Sequence, residues 1–373
     1  MSNWLTYSPT SGQGNGIITI TADTLSTLEN RVATIIASNS QYGVSDSVLI
    51  TQYKASPTLL TPLTFNILSA GTINWTASGS LTKTIEYKLN DGEWTSITSN
   101  TGSSAPTITV NSGDKLQFRG NNTQYATGYS VYNTFSGSTA SFEVEGNIMS
   151  LIYGDDFKNN STINEDENNY TFVSLFRECA NLVSAENLVL PATTLAPYCY
   201  YGMFFWCTSL TTAPKLPATT LATECYLGMF DNCTSLTTAP ELPATTLKYG
   251  CYSGMFAGCT SLTTAPSVLP ATTLANGCYG RMFVYCTSLT TAPELPATTL
   301  ADGCYGNMFR NCYNLNYIKC LATDISATNC TSDWVLGVAS TGTFVKNPNM
   351  KIWPVDENWY DGIPRGWTVT NAS

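Results

Sequence analysis

The stretch LPATTLADGCYGNMFRNCYNL, from Leu295 to Leu315, decides the fold, because close copies of it precede it in the chain. Two cysteine series run through the copies. The second cysteine of each copy recurs every 26 to 28 residues, at Cys179, Cys207, Cys233, Cys259, Cys286 and Cys312. The first recurs every 26 or 27 residues, at Cys199, Cys225, Cys251, Cys278, Cys304 and Cys330. Two series with one period predict one structural coil per repeat.

Each repeat follows the pattern C-Y-x-x-M-F-x-x-C-T-S-L-T-T-A-P-x-L-P-A-T-T-L-A, with apolar residues in fixed positions. A unit this short cannot enclose a core, so neighbouring units must stack and form ladders of identical side chains. The S-L-T-T-A-P part predicts a short strand that ends at proline and pairs in parallel at about 4.8 Å with its neighbours. The C-Y-x-x-M-F-x-x-C part, with its spacing of three to four, predicts a helical turn.

The repeated cysteines are predicted to be buried free thiols, because cysteine is a small and commonly buried apolar residue. Disulfides within each unit are a weaker alternative. Zinc is weaker still, because the two cysteines of a unit are eight residues apart, as Cys225 and Cys233 are, and zinc sites have the C-x-x-C spacing. We therefore predict no metal and no cofactor. The predicted structural thiol ladder comprises Cys207, Cys225, Cys233, Cys251, Cys259, Cys278, Cys286, Cys304 and Cys312.

The repeat resembles the BspA-type leucine-rich repeats of Bacteroidetes surface proteins, in which an aromatic pair and a cysteine precede the strand leucine. The resemblance spans residues 172–341 and implies a solenoid. The last part, WVLGVASTGTFVKNPNM to GIPRGWTV, is similar to the tail that closes such arrays. It predicts a C-terminal cap over residues 342–373, in which Trp353, Trp359 and Trp367 shield the last coil.

The opening residues alternate in polarity around Ile20, Ile35 and Ile50, which predicts three antiparallel strands. The string from Trp4 to Gln52 resembles the later part of a BACON domain, a β-sandwich of Bacteroidetes proteins and their crAss-like phages. Such domains have strands before the W-L-T motif. We therefore predict that residues 1–55 form a truncated β domain with an open sheet edge, which is a template for pairing with another chain.

Residues 56–148 predict an Ig-like β-sandwich, with a hairpin across Asn90-Asp91-Gly92 in YKLNDGEWTSI. Residues 149–171 are polar and acidic, and they predict a linker or cap. A calcium site there is the weaker alternative, because no EF-hand spacing is present. The expected fold class is mainly β: N-terminal β-sandwich domains, then a leucine-rich-repeat solenoid with a short strand and a helical turn per coil, and a C-terminal cap.

Composition excludes several classes of function. The 373 residues have 43% hydrophobic and 11% charged side chains, a net charge of -10 and no histidine. A strongly acidic chain is a poor partner for a phosphate backbone, so no nucleic acid is expected. A Ser-His or Cys-His nucleophile cannot exist without histidine, and we expect a non-enzyme. No apolar run approaches the roughly 20 residues of a membrane span, and the start carries no signal-peptide pattern.

Sequence variation among the repeats is concentrated in a few short windows that include exposed aromatic residues. A row of such side chains along one edge predicts a binding surface for a host glycan or protein. The candidate ligand-binding residues are Tyr198, Tyr201, Phe205, Trp206, Tyr249, Tyr285 and Arg310.

Two functional hypotheses follow. The first is a phage virion protein of head-fibre or tail-fibre type, trimeric, and anchored to a capsid or tail protein through residues 1–55. The alternative is a secreted or cell-surface adhesin of a Bacteroidetes bacterium. A carbohydrate-active enzyme is weaker than both, because no catalytic constellation is present.

Overall fold

A computed structural model describes residues 5–8, 19–22, 31–39, 44–52, 57–163, 170–350, 353 and 361–373. The protein is mainly β, with 25% of its residues in strands and 5% in helices. It divides into two compact units, Met1–Thr61 and Pro62–Ser373. None of the helices described has the length and apolar character needed to cross a membrane.

The described residues of the first unit form two antiparallel strand pairs. Strand β1 (Leu5–Ser8) pairs with β2 (Thr19–Ala22). Strand β3 (Arg31–Asn39) pairs with β4 (Val44–Gln52) along nine residues of each strand. The predicted strands at Ile20, Ile35 and Ile50 are confirmed, whereas β1 was not predicted. Trp4, where the resemblance to a BACON domain begins, lies outside the described residues.

The second unit begins with nine strands, and the fourth and fifth of these form a hairpin around Asn90, which has a φ of 53°. This hairpin was predicted from the Asn-Asp-Gly turn and is confirmed. A short 3-10 helix occupies Gly102–Ser104, and another, Pro57–Leu60, lies at the end of the first unit. The strands are β5 (Leu63–Ile67), β6 (Gly71–Asn74), β7 (Thr76–Ser78), β8 (Thr84–Leu89), β9 (Thr95–Thr98), β10 (Thr107–Val110), β11 (Lys115–Arg119), β12 (Tyr132–Thr134) and β13 (Phe142–Asn147).

The main sheet continues from this segment into the first repeat. After helix α1 (Ser150–Tyr153) and a 3-10 helix at Gly154–Asn159, strand β14 (Leu182–Val189) pairs in parallel with β13. The sheet has the order β14-β13-β5-β11-β8-β9. The ring of Phe65 lies 4.6 Å from that of Phe142 and 6.0 Å from that of Phe176, which belongs to the first repeat. One apolar core therefore extends from the strands into the repeats.

Successive repeats stack through hydrogen bonds between alternate backbone groups. The Tyr200 amide donates to the Cys225 carbonyl one coil later, at 3.0 Å, whereas the next amide, that of Tyr201, donates back to the Tyr198 carbonyl. The predicted helical turn is therefore wrong. In a helix, every amide would donate to a carbonyl of the same coil. In addition, residues with positive φ, such as Gly202, interrupt the right-handed turn.

Buried aromatic rings form two ladders along the stack. Neighbouring phenylalanine rings lie 5.2–5.8 Å apart, in the order Phe176, Phe204, Phe230, Phe256, Phe283, Phe309. Neighbouring tyrosine rings lie 5.6–6.1 Å apart, in the order Tyr200, Tyr226, Tyr252, Tyr279, Tyr305. Each contact of this kind stabilises by about 0.5–1.5 kcal/mol beyond the burial of its area.

Cysteine contributes a hydrogen bond to the same stacking. The Cys233 Sγ donates to the Phe204 carbonyl of the preceding coil at 3.1 Å, and Cys259 bonds to Phe230 in the same way. Cys207, Cys286 and Cys312 repeat the arrangement. All thirteen cysteines are free and buried. The second cysteine of each repeat thus fills the core and satisfies a carbonyl that an alanine would leave without this donor.

The S-L-T-T-A-P segments pair in parallel, but mostly through single bridges such as Thr238–Thr264 and Thr291–Tyr317. Proline limits their length, because it lacks the amide hydrogen that a longer ladder needs. Continuous parallel pairing returns at the end of the chain, in β15 (Tyr317–Cys320), β16 (Thr343–Lys346) and β17 (Thr368–Asn371). Trp353 and Trp367 are buried there, and Trp359 lies outside the described residues.

Candidate ligand-binding surface

Two positions of the repeat that carry aromatic residues have left-handed backbone geometry. One of them immediately precedes the second cysteine and carries Trp206, whose amide bonds to the next coil, and φ there is 61°. The equivalent residues are Glu178, Asn232, Gly258, Tyr285, Asn311 and Gly337, all with φ between 60° and 78°. A second position precedes the first cysteine and carries Tyr198 (φ 60°), Glu224, Gly250, Gly277, Gly303 and Asn329.

Aromatic residues are energetically unfavourable at these positions. Glycine and asparagine adopt positive φ readily, whereas another side chain costs about 1–2 kcal/mol because its Cβ approaches the backbone. Trp206 and Tyr285 are moreover 50% exposed, so burial does not account fully for their presence. Strain of this kind that persists at exposed aromatic residues is typical of a functional surface.

Four tyrosines converge beside the first two repeats, and we call them the tyrosine cluster. Tyr129 lies in the loop closed by the Ala126–Tyr132 bridge, and its ring centroid is 4.7 Å from that of Tyr201 and 5.6 Å from that of Tyr198. Tyr170 stacks on Tyr198 at 5.0 Å, and both rings are nearly perpendicular to Tyr129. The cluster is thus a corner of aromatic faces, in which Tyr129 is 46% exposed.

A carboxylate lies within the tyrosine cluster. The Tyr129 hydroxyl donates to Glu224 Oε2 at 3.0 Å. Burial raises the pKa of Tyr129 well above its usual range, and the Glu224 charge adds to this effect. Burial likewise raises the pKa of Tyr201, where Glu224 is again the next cause, and that of Tyr170, where the neighbouring Tyr198 and Glu224 contribute. The hydroxyls of Tyr129, Tyr170 and Tyr201 therefore stay neutral at neutral pH.

Phe205 and Trp206 extend the aromatic surface along the second repeat. The Arg177 guanidinium lies 4.0 Å from the Phe205 ring centroid and pairs with Glu178 at 3.1 Å. The Trp206 amide donates to the Asp231 carbonyl at 2.8 Å. Burial raises the pKa of Asp231 to about 6, although Arg281 opposes this shift. This part of the surface therefore combines two aromatic rings with charges of both signs.

The structure brings together only some of the predicted binding residues. Tyr198, Tyr201, Phe205 and Trp206 lie on one coil, and the rings of Tyr198 and Tyr201 contact that of Tyr129. Tyr249 lies two coils beyond them, where its carbonyl accepts a hydrogen bond at 3.0 Å from the amide of Glu224 on the intervening coil, and its side chain is 57% exposed. The expected aromatic row does not continue beyond it.

Tyr285 and Arg310 lie apart from this surface. Tyr285 stands three coils beyond Trp206, because Asn232 and Gly258 occupy the same position in between. Arg310 is engaged within its own region, where Nη1 donates to Asn307 and pairs with Asp333 at 3.3 Å.

Sequence reasoning missed Tyr129 and Tyr170. The signal for Tyr170 was available, because Tyr170 and Tyr198 are separated by the same 28 residues as Cys179 and Cys207. No repeat pattern could have indicated Tyr129, because it lies in a loop of the preceding segment and reaches Tyr201 only through the tertiary fold.

A separate apolar cavity of about 580 Å³ lies between two proline-rich segments, 211–217 and 237–243. It falls between the parallel bridges Ser184–Thr212 and Thr238–Thr264. Its lining comprises mainly threonine, proline, alanine and leucine, and no aromatic side chain. The charged side chains of Glu186, Lys215 and Glu241 also line it, but the tyrosine cluster combines aromatic faces with a carboxylate and is the stronger candidate.

The described residues contain no group of three or more His, Cys, Asp or Glu side chains that could hold a metal ion. Burial raises the pKa of the repeat thiols, for example to about 12 in Cys251 and Cys312. Asp155, from the acidic stretch, instead pairs with Arg119 at 2.8 Å. Neutral buried thiols are poor nucleophiles and poor metal ligands.

The chain matches no family model, no curated protein and no solved structure.

Proposed function

We propose that the protein is a non-enzymatic phage virion protein of head-fibre or tail-fibre type. It attaches to a glycan or protein of the host cell surface through the tyrosine cluster, Phe205 and Trp206. The observation that carries this proposal is that Trp206 and Tyr285 occupy a left-handed position that most other repeats fill with glycine or asparagine. Such residues lower stability unless they contact a ligand.

The proposed architecture is a BspA-type leucine-rich-repeat solenoid. Its support is the period of about 26 residues together with the aromatic ladders and the hydrogen bonds between coils. Each coil adds its own variable positions to the surface, so a solenoid changes ligand without disturbing its core. The absence of histidine and of a metal-binding group in the described residues suits a binding role better than catalysis.

Residues 1–55, with their resemblance to a BACON domain, are proposed to anchor the protein to a capsid or tail protein and to join it into a trimer. This anchoring role is supported by two antiparallel strand pairs that lie in a separate compact unit of the chain. Strand pairing with another chain provides attachment through the main chain. Neither a nucleic acid nor insertion into a membrane is part of this function.

The first experiment measures whether the labelled full-length protein binds cells of a Bacteroidetes panel and blocks phage adsorption to the strains it binds. We expect saturable binding to a subset of strains, with matching inhibition of adsorption. Binding that leaves adsorption unchanged on every strain contradicts the fibre function. Reproducible hydrolysis of a glycan, ester or peptide that is lost on substitution of one Asp or Glu contradicts the non-enzymatic assignment.

A bacterial adhesin is the second candidate, because the repeat resembles those of Bacteroidetes surface proteins. Mass spectrometry of purified virions and of bacterial surface fractions separates the two. The virion proposal requires stoichiometric amounts in virions. Detection in the surface fraction of uninfected cells, and not in virions, favours the adhesin.

A further inference from the structure

We propose that the tyrosine cluster recognises an organic ammonium group, the chemistry shared by amino sugars and choline-type headgroups. This inference rests on the proposed role of the cluster in attachment and names the group that it takes. The juxtaposition that carries it is one carboxylate without an ion-pair partner inside a corner of four tyrosine rings.

Glu224 has no ion-pair partner among the residues that the structure describes. The described part of the chain contains six ion pairs, and none includes Glu224. The carboxylate is only partly exposed, and its hydrogen-bond donor is the neutral hydroxyl of Tyr129. The nearby Arg177 pairs with Glu178 and lies over Phe205, so it does not serve as the counter-ion. A partly buried unpaired carboxylate favours a cation from outside.

The rings around Glu224 add to the preference for a cation. A tyrosine face carries negative electrostatic potential and attracts an ammonium group within about 6 Å of its centroid. Tyr129 stands nearly perpendicular to Tyr170 and Tyr198, so the corner presents rings in two orientations. Aromatic rings around an anionic group are a typical receptor for methylated ammonium ions.

A neutral sugar is the main competing ligand, because sugars also stack on aromatic rings. A neutral sugar stacks on the rings and donates hydroxyl hydrogen bonds to a carboxylate, but it carries no positive charge that the carboxylate would neutralise. The two alternatives therefore differ in their response to removal of the charge at Glu224 and to removal of the charge on the ligand.

The test titrates the full-length protein with choline and with its neutral isostere 3,3-dimethylbutan-1-ol, and follows binding by NMR. We expect choline to bind at least tenfold more tightly than the isostere. Glu224→Gln should weaken choline binding roughly tenfold, in the range expected of a cation beside aromatic rings. Glu241→Gln is the matched control, because Glu241 is exposed and lies beside the apolar cavity instead.

Glucosamine and N-acetylglucosamine form the second pair of ligands, because acetylation removes the ammonium charge from the sugar. A preference for glucosamine over choline identifies an amino sugar as the source, and the reverse identifies a choline-type headgroup. Equal binding of the charged and neutral members of both pairs overturns the proposal, as does the absence of any ammonium binding. If Glu224→Gln does not fold, the comparison of ligands on the unaltered protein still decides.

The outcomes separate this inference from the proposed function. If the protein attaches to cells but does not bind ammonium compounds, the proposed attachment function is retained and only the proposed ligand class is contradicted. Ammonium binding by a protein that attaches to no cell overturns the attachment function and retains the site.

Discussion

Replacing Trp206 by glycine should give a more stable protein than replacing it by alanine, which reverses the usual order. Both substitutions remove the same half-exposed indole, so the loss of side-chain contacts cancels in the comparison. At an ordinary position, glycine is about 0.5–1 kcal/mol less stable than alanine. At φ of 61°, alanine carries the left-handed penalty of about 1–2 kcal/mol, so glycine should be favoured by about 0.5–1 kcal/mol.

The assay is urea unfolding of the full-length variants, followed by circular dichroism. The expected midpoint is higher for Trp206→Gly than for Trp206→Ala, and the same order is expected at Tyr285. Phe205 is the control, because it is not among the residues with positive φ, so alanine should be the more stable substitution there. If the alanine variant has a higher urea midpoint than the glycine variant by the same margin at both Trp206 and Phe205, Trp206 is not strained. The functional argument from strain then fails.

Three further predictions concern the core and the titrating groups. Native protein should expose few of its thirteen thiols to a thiol reagent, and denatured protein nearly all; disulfides between cysteines eight residues apart would contradict the buried-thiol account. Asp231 has a folded pKa of about 6 against an ordinary value of 3.8, so its contribution to stability should be lost as the pH rises from about 4 to 6. Asp231→Asn should remove that part of the pH dependence of the urea midpoint, and an unchanged profile would contradict the assignment. Phe256→Ala should lower the free energy of unfolding by about 3–5 kcal/mol in urea titrations, because Phe256 is buried between two rings at 5.6 Å; a cost below about 1 kcal/mol would refute its role in the ladder.

The period and the buried positions of the repeat could be predicted from the sequence because each coil repeats the same apolar pattern. Cys233, Phe230 and Tyr226 recur at one spacing, and stacking must bring identical residues together. The hairpin around Asn90 was equally accessible, because an Asn-Asp-Gly turn has a local cause. Such features depend on residues close in the chain or related by a constant step.

The helical turn was misjudged because a spacing of three to four apolar residues has two physical solutions. In the structure, turns that bond within a coil alternate with amides that bond to the next coil, as at Tyr200 and Tyr201. Apolar periodicity alone does not distinguish this arrangement from a helix. The glycines and asparagines at the left-handed positions carried the missing information.

The candidate site was only half predictable because two segments distant in the chain build it. Tyr198 and Tyr201 belong to the repeat pattern, but Tyr129 reaches them from the preceding segment through the continuous sheet and core. Conversely, Tyr285 is an aromatic residue in a variable window of the repeat, which is why the sequence predicted it as a binding residue. In the structure, the same position on the adjacent coils carries Gly258 and Asn311, so Tyr285 has no aromatic neighbour there.

The most direct test of the central claim measures attachment of the protein to the strains that it binds, by flow cytometry, with Tyr129, Tyr201 and Trp206 replaced together by serine. The matched control replaces Tyr285 and Tyr313, which are exposed to a similar extent on later coils. We expect the first variant to lose at least nine-tenths of its attachment while retaining its circular dichroism spectrum, and the control to bind like the unaltered protein. Full attachment by the folded first variant, or equal loss in both variants, would contradict the assignment of the tyrosine cluster as the binding surface.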